Sequence, residues 1–578
     1  MAEEVAARIA NLNPFKSNKE DEDDKGEHIG EDSIGHRIHD VDAHHVDLRV
    51  SRALKAFLAD KDILDKSDLD LDSDTPSDAL RAFINKPHIR VPPELTDRSH
   101  PLPEYFISSS HNTYLLAHQL YGTSCASAYR TAIRTGSRCV EIDAWDNSDN
   151  LDEPKVTHGY TLVSNIPFRI VCETIRDVLL EEIATAQNMP GHSPSPILLS
   201  LENHCNAHGQ MRLVQLMKEI FGDLLLSKPI RDQGTMEQEG SGEHVTLGDL
   251  GASIAVIVEF HLPEEKDTSD SDSDDDADEE EEKAARQEYK NKKKEEASSI
   301  IIPELAELGV YAQSVKPSDN SWYEPGILTN GPHHHLINVS ETGLASHLPD
   351  HAVPIAQHNS RHLMRVFPKG TRISSSNLKP VRFWGLGAQI CALNWQTFGT
   401  SNQLNDALFS GTDGFVLKPA PLRLGGSGRL SKGVKKLLRL HIAGATDIPL
   451  HDSELEADSI RPYLTCTLYH PGASGDPPKR KTEPYRQHRL GFLHKGENPP
   501  PTDPVWDEVL EWEYDDSELV FVRMLIKSDE SWARNPMFAA LAVRLEYVTP
   551  GWNFLQMLDL KGRDTTCSIL AKFEIVDA

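Results

Sequence analysis

The chain has 578 residues and a formal net charge of −31 at pH 7. At roughly 150 residues per domain its length predicts about three or four domains, and its acidic balance excludes nonspecific nucleic-acid binding through a basic surface. Hydrophobic residues make up 38% of the chain, which is enough for packed cores alongside some disordered segments. Its apolar runs, such as 254–258, are far shorter than the roughly 18 residues of a membrane-spanning helix.

The cysteines also restrict the class of protein. Seven of them lie far apart along the chain, without a Cys-x-x-Cys pair. This spacing excludes a zinc knuckle, and the odd number favours reduced thiols in a cytoplasmic protein. The first residues lack a basic region followed by an apolar core, so we expect no signal peptide.

The N-terminal region divides into two segments. Residues 1–45 are polar and rich in charge, so we expect a disordered acidic tail. Apolar stripes then predict two short helices within 46–96. The second stripe follows Thr75 and Pro76, where the threonine can cap the helix and the proline suits its first position.

Alternating aspartates between these two helices resemble a calcium-binding loop. The loop pattern then fails, because the sixth position is Ser73 instead of glycine and the twelfth is Ala79 instead of glutamate. We therefore favour a degenerate EF-hand-like helix pair over a calcium site. The three aspartates are Asp68, Asp70 and Asp72.

The next part of the chain, 97–263, alternates short strands with helices. Strands are predicted at 139–145, 197–201 and 254–258, and an amphipathic helix is predicted at 170–183. Alternation of this kind predicts a parallel sheet covered by helices.

A charged insert interrupts this pattern at 264–299. It contains a long acidic run followed by lysines, and blocks of like charge do not pack, so we expect disorder. Strand-like runs resume within 300–423, at 388–393 and 414–418. The histidine run at 333–335 is expected to be a loop without metal-binding partners.

The C-terminal part follows a Gly/Ser-rich linker at 424–433. From 434 to 578, apolar and polar residues alternate without helical periods, as at 438–442, 464–468 and 520–526. This pattern predicts an antiparallel β-sandwich.

Carboxylates cluster at the predicted strand ends of the first α/β segment. On the strand 139–145, period-two geometry places Glu141 and Asp143 on the same face. Glu202 follows the next strand, and Asn112 lies where another strand opens into a loop. In a βα barrel these strand ends carry catalysis. Three carboxylates and an amide suit calcium or magnesium and do not suit zinc.

Two histidines accompany these oxygen ligands. His111 precedes Asn112, and His158 lies in a further segment of the same region. Histidines beside a divalent cation can bind a phosphate and transfer protons. Each motif alone has an ordinary structural explanation as a solvated strand edge or a turn, so the joint pattern carries the functional interpretation.

The order of motifs resembles eukaryotic phosphoinositide-specific phospholipase C. The resemblance implies a TIM barrel split into X and Y halves by an acidic linker, followed by a C2-like sandwich and without room for the usual pleckstrin domain. The X-like motifs are 101–103, 108–114, 138–146, 158–161 and 197–204, and the Y-like motifs are 377–381, 388–397 and 414–419.

The resemblance also implies a chemistry. One catalytic calcium ion would be held by Asn112, Glu141, Asp143 and Glu202, and His111 and His158 would contact the phosphodiester. Glu141 or Glu202 would remove the proton of the inositol 2-hydroxyl, and His158 would protonate the diacylglycerol oxygen. The cyclic phosphate formed in this way would then be opened by water.

Recognition of the inositol ring departs from the family. Ser340 and Arg365 match positions that contact the inositol and its ring phosphate, but Phe367 replaces the family tyrosine. The strand 255–261 contains none of the usual lysines. We therefore expect less discrimination against phosphatidylinositol and its monophosphate than relatives show.

The sequence allows two interpretations of its possible membrane-contact residues and two of its acidic insert. An apolar rim at the barrel mouth is one interpretation of Leu120, Tyr160 and Leu162, and ordinary loop packing is the other. The C2-like loops near 458–463 and 527–531 lack the usual aspartates, so we expect little calcium binding there. The acidic insert is either inhibitory, through repulsion from anionic lipid, or a plain linker.

The sequence therefore predicts a monomeric, calcium-dependent phospholipase on a phosphoinositide membrane surface, cytoplasmic and peripherally attached. One alternative is a catalytically weak lipid-binding scaffold, because the specificity residues have changed. A second is a phosphodiesterase for soluble glycerophosphodiesters, which the sandwich and split barrel disfavour.

Overall fold

The computed structural model describes most of the chain. Most residues of the helix pair, of both halves of the α/β region and of the C-terminal sandwich lie within the described residues, and the acidic insert lies outside them. The described residues are 22–24, 26–29, 48–71, 73, 75–116, 123–158, 164–188, 194–231, 245–262, 300–324, 326, 328–369, 372, 376–450, 459–472, 475–488, 497–529 and 536–578. Within these ranges, no helix is both long and apolar enough to cross a bilayer.

The first two helices form a small unit that packs on the sandwich. Helix α1 spans Arg52–Asp60 and α2 spans Asp78–Ile84, and buried Leu54 and Leu58 of α1 join Leu570 of the sandwich in one core. Ser51 and Ser77 cap the two helices through their side chains. The predicted cap at Thr75 was wrong, because Ser77 lies closer to the helix start and accepts from the Leu80 amide at 3.1 Å.

The X half supplies the first strands and helices of the barrel. The strands are β1 (Tyr105–Ile107), β2 (Ser110–His111), β3 (Leu115–Leu116), β4 (Thr123–Ser124), β5 (Cys139–Trp145), β6 (Lys155–Val156), β7 (Ile166–Pro167), β8 (Ile197–His204) and β9 (Ile254–Glu259). The helices are α3 (Ser127–Arg134), α4 (Phe168–Gln187), α5 (Ala207–Phe221) and α6 (Leu247–Leu250). The apolar face of α4 packs against Val140 and Ile142 of β5 in a shared core, as its periodicity predicts.

The Y half completes the barrel. Its strands are β10 (Gln313–Val315), β11 (His335–Ser340), β12 (Leu363–Phe367), β13 (Ile390–Cys391), β14 (Leu393–Asn394) and β15 (Phe415–Leu417). Its helices are α7 (Pro303–Ala306), α8 (Glu341–Ala345), α9 (Ala352–Asn359), α10 (Pro380–Trp384) and α11 (Thr400–Phe409). His335 begins β11, which corrects the predicted loop at that residue.

The two halves close into one ring of parallel strands. The order β1-β13-β12-β11-β10-β9-β8-β5 is parallel throughout, and a parallel bridge between Ser109 and Cys139 joins the two ends. The fold is therefore the predicted split TIM barrel, with the Y half joined to the X half through β9–β10 and β1–β13.

The C-terminal part is the predicted antiparallel sandwich. Its sheet order is β18-β17-β20-β21-β22-β23-β16-β19, and the apolar sides of the strands share one core. The strands are β16 (Lys435–Thr446), β17 (Pro462–Tyr469), β18 (Lys479–Lys481), β19 (Val505–Asp515), β20 (Phe521–Ser528), β21 (Met537–Arg544), β22 (Gly551–Leu558) and β23 (Asp564–Asp577).

One N-terminal segment departs from the disorder predicted for 1–45. Residues 22–24 form a 3-10 turn, and 26–29 run along the loop after β14, where the Ile29 amide donates to the Gln396 carbonyl at 2.7 Å. This segment, residues 22–29 without residue 25, lies between the barrel and the sandwich. A mostly polar segment is ordered here because both partners supply hydrogen bonds and charges.

Candidate active site

The barrel mouth brings three predicted carboxylates together. Strands β5 and β8 pair in parallel register with Asp143 opposite Glu202, and Glu141 lies two residues earlier on the same face of β5. One oxygen from each of the three lies within 4.8 Å of the others. Glu141 and Asp143 are buried, whereas the Glu202 side chain is 46% exposed. Such a cluster is stable only with protons or a cation to balance its charge.

Asp143 is the carboxylate of this cluster that best fits a metal ligand. Its Oδ2 accepts from the Tyr114 hydroxyl at 2.5 Å, while its Oδ1 is buried and has no hydrogen-bond partner among the described residues. Burial, followed by the charges of Glu202 and Glu141, raises the pKa of Asp143 well above its usual value. An orphaned carboxylate oxygen beside two further carboxylates fits a hard divalent cation.

Asn112 borders this cluster in a strained backbone conformation. Its φ of 44° is in the left-handed region, which asparagine tolerates better than most residues. Its backbone N–H donates to Glu141 Oε2 at 2.8 Å, and the Tyr114 hydroxyl lies 3.2 Å from its side-chain oxygen. The turn therefore holds Asn112 beside Glu141 and, through the Tyr114 hydroxyl, beside Asp143.

His111 is held by a residue of the other half of the barrel. Its Nδ1 lies 2.8 Å from Asn394 Oδ1, and Asn394 Nδ2 donates to the Ser376 carbonyl, which fixes the amide orientation. The His111 Nδ1 must therefore donate, and Nε2 faces Glu141 Oε2 at 3.9 Å. Burial lowers the pKa of His111, so Nε2 of the free site is an acceptor.

Arg365 lies inside the acidic cluster rather than at its edge. Its guanidinium donates to Glu141 Oε1 at 2.6 Å and to Asn338 Oδ1 at 3.2 Å, and both Arg365 and Glu141 are buried. The Phe367 ring lies 5.7 Å from the guanidinium carbon. Glu141 therefore has an internal counterion, which Asp143 lacks among the described residues.

Of the other predicted site residues, the structure describes His158 and Ser340. His158 follows β6, and the Thr157 amide donates to the Asp143 carbonyl at 3.3 Å, so the chain at His158 runs beside the carboxylate strand. Ser340 caps α8 by accepting from the Gly343 amide at 3.1 Å. The residues of the predicted membrane rim lie outside the described residues; they are Leu120, Tyr160 and Leu162. The acidic insert and the sandwich loops 451–458 and 530–535 lie outside them too.

Sequence reasoning missed several residues at this mouth. Tyr114 and Asn394 lie in motifs that the sequence highlighted, but neither residue was assigned a role. Lys316 directly follows β10 and counteracts the burial that raises the pKa of Glu259 at the end of β9. A lysine one residue past a barrel strand was the signal available for a basic group here.

Comparison with known proteins agrees with this geometry. Residues 98–259 match the model described as phosphatidylinositol-specific phospholipase C, X domain, and 305–421 match the Y domain of the same enzyme. The chain belongs to the eukaryotic phosphoinositide-specific phospholipase C family. The predicted family and fold class are thus confirmed.

Curated relatives of this chain include proteins from Dictyostelium discoideum and from humans. A Dictyostelium discoideum 1-phosphatidylinositol 4,5-bisphosphate phosphodiesterase is 30% identical over 512 residues, covering 83% of this chain and 60% of that protein. The human delta-1 phosphodiesterase of the same name is 30% identical over 495 residues, covering 83% and 61%. The crystal structure of L. pealei PLC21 shares the fold with a TM-score of 0.67 at 23% identity, over 100% of this chain and 68% of that one. The chain thus spans about 60% of the length of these curated relatives.

Proposed function

We propose that this protein is a calcium-dependent phosphoinositide phospholipase C that releases diacylglycerol and an inositol phosphate. The observation that carries the proposal is the buried Asp143 oxygen without a partner among the described residues, in a cluster with Glu141 and Glu202. Asn112, Glu141, Asp143 and Glu202 would hold the ion, and this all-oxygen set favours calcium or magnesium. The names of the relatives, phosphatidylinositol 4,5-bisphosphate phosphodiesterases, support the reaction class.

The first step is an attack by the inositol 2-hydroxyl on phosphorus. When bound, calcium supplies Lewis acidity, which lowers the pKa of an adjacent hydroxyl and offsets charge on the phosphoryl oxygens. Glu202, which is half-exposed at the mouth, or Glu141 accepts the hydroxyl proton. Because Glu141 is already paired with the Arg365 guanidinium, it is better suited to remain a metal ligand than to act as the base.

The two histidines then act on the phosphodiester. Because its Nδ1 donates to Asn394, His111 donates to a phosphoryl oxygen only after Nε2 takes up a proton. An approaching phosphate anion favours that protonation. His158 protonates the diacylglycerol oxygen as the bond to phosphorus breaks, and in the second step it accepts a proton from the water that opens the cyclic phosphate.

Substrate selection follows from the charges around the ring site. Arg365 is the basic residue expected by motif, yet it is committed to Glu141, and Glu259 adds an acid nearby. Lys316 offers a compensating charge. We propose that the enzyme cleaves phosphatidylinositol and its monophosphate with weaker discrimination than relatives. Initial rates on phosphatidylinositol and its bisphosphate in matched vesicles test this; a bisphosphate preference above about a hundredfold would contradict it.

We also propose cytoplasmic residence, reversible attachment to phosphoinositide membranes and a monomeric state. The rival interpretation, a lipid-binding scaffold, is disfavoured because the assembled site retains each residue that the chemistry requires. Those residues are His111, Asn112, Glu141, Asp143, His158 and Glu202.

The test is release of inositol phosphates from vesicles, with calcium and with a chelator. We expect release only with calcium, and loss of both activity and calcium-induced thermal stabilisation in Asp143→Asn. Asp152→Asn, a change at an exposed acid, is the matched control and should behave as wild type. Full activity in chelator would reject the calcium proposal, and a folded but inactive wild type would favour the scaffold.

A further inference from the structure

A second charged site lies on the C2-like sandwich. A cleft of about 450 Å³ is lined by lysines and an arginine of strands β18 and β20, with Tyr463 and Thr465 of β17 between them. Of the described residues that line it, Asp23 alone is acidic. The basic residues that line this cleft are Lys479, Arg480, Lys481 and Lys527.

Strand register explains why the three lysines share one face. Lys481 pairs with Thr465, and Tyr463 pairs with Lys527, so period two directs their side chains to the same side of the sheet. Lys479 pairs with Thr467 on that side too. Lys481 also lies 5.4 Å from the Tyr463 ring. Adjacent lysines repel one another unless an anion lies between them, so this face is built to receive negative charge.

The N-terminal segment supplies that negative charge internally. Asp23 Oδ2 accepts from Lys479 at 2.9 Å, its Oδ1 accepts from Lys527, and its carbonyl accepts from Arg523 at 2.6 Å. Burial raises the pKa of Asp23, but the two lysines outweigh it and the net pKa is lowered. Asp23 is thus an ionised carboxylate in a basic cleft.

The segment is also shaped to lie where it does. A Cβ on Gly26 would come within 2.1 Å of the Phe398 backbone, and a Cβ on Gly399 would come within 2.6 Å of the Asp24 carbonyl. Thr400 Oγ1 donates to Asp24 at 2.9 Å, and the Phe398 amide donates to the Glu27 carbonyl at 3.2 Å. Two glycines therefore permit a close backbone approach that larger residues would prevent.

We propose that this cleft binds the phosphates of anionic phospholipids, and that Asp23 occupies it as an internal competitor until a membrane displaces it. Two features favour a lipid surface: strand β18 is an edge strand with all three residues exposed, and its charge is spread along the strand. Lysines within reach of an anionic membrane each strengthen binding by about fivefold. The proposal does not depend on catalysis, because it concerns attachment alone.

Vesicle co-sedimentation of the full chain tests the proposal. Asp23→Asn removes the competing charge, and Gly26→Ala displaces the segment while leaving its charge unchanged. We expect each variant to bind vesicles of phosphatidylcholine with phosphatidylserine about fivefold or more tightly than wild type. Binding to phosphatidylcholine alone should not change. Asp577→Asn, which removes the acidic partner of Lys436 on the sandwich, is the matched control.

A second pair of changes identifies the binding face. Adding Lys479→Gln and Lys481→Gln to either variant should abolish the gain. Unchanged vesicle binding in both folded variants would overturn the proposal, as would a gain that survives loss of the two lysines. A gain for inorganic phosphate without one for vesicles would overturn the lipid assignment. Thermal melting shows which variants are folded, and Gly26→Ala keeps the test valid should Asp23→Asn unfold.

Discussion

The barrel mouth and the sandwich cleft both concentrate charge of one sign, and they differ in how it is balanced. In the cleft, Asp23 neutralises Lys479 and Lys527 from within the chain. At the mouth, Arg365 neutralises Glu141 but leaves Asp143 with a buried, unsatisfied oxygen. In our two proposals, therefore, the mouth takes up an external cation, whereas the cleft exchanges an internal carboxylate for lipid phosphate.

The largest effect is expected from the residue assigned both proton transfers. His158→Ala should lower turnover by about two to four powers of ten, the range for general acid–base groups. Vesicle binding, which depends on the sandwich in our proposal, should not change. His208→Ala, at a histidine whose side chain is 58% exposed, is the control. Near-normal turnover of purified His158→Ala would reject the assignment.

The internal counterion of the mouth can be removed separately. Arg365→Met leaves Glu141 buried without its cation, which should destabilise the calcium-free protein by about 3–5 kcal/mol. Calcium should restore more stability to this variant than to wild type, because the ion would then balance all three carboxylates. Denaturant unfolding with and without calcium measures both effects. Equal calcium stabilisation of the two proteins would show that Arg365 and the ion do not share Glu141.

A buried histidine cluster in the Y half differs from both the mouth and the cleft, because burial keeps its imidazoles neutral. His335 and His358 are buried, and their Nε2 atoms lie 3.0 Å apart. The ring of His362 stacks on that of His335, with 3.9 Å between the ring centroids. Burial lowers the pKa of His335 to about 4 and that of His358 to about 3. The unfolded chain binds protons below about pH 6.5, but the folded cluster does not.

Stability should therefore be fully retained above pH 6.5 and fall as the pH drops toward 4. Protonation of each of these two histidines in the unfolded chain should lower the free energy of unfolding by about 2 kcal/mol at pH 5. Urea unfolding as a function of pH measures the slope, and His358→Gln should flatten it. A slope that is the same in His358→Gln would show that other groups cause the acid sensitivity.

The residue pattern along single strands predicted the carboxylates of the mouth, but it did not predict the ion pair between the two halves of the barrel. Period two on β5 placed Glu141 and Asp143 on one face, and the strand ends placed Glu202 beside them. The Arg365–Glu141 pair spans 224 residues and depends on barrel closure, which periodicity does not encode. Composition predicted disorder around Asp23 because the segment itself is rich in charge. Composition does not show that sandwich lysines, far along the chain, bind this carboxylate.

The smallest effect is expected from Asn394, which positions His111 from the other half of the barrel. Asn394→Ala removes one hydrogen bond worth about 1 kcal/mol, so turnover should fall about fivefold to tenfold. Asn394→Asp places a carboxylate against Nδ1 and raises the pKa of His111, because a negative charge favours the imidazolium. Since Nε2 must be protonated to donate to phosphate, the Asp variant should extend activity to higher pH, and the Ala variant should not. A merely structural role for Asn394 predicts equal losses in both variants and an unshifted pH profile.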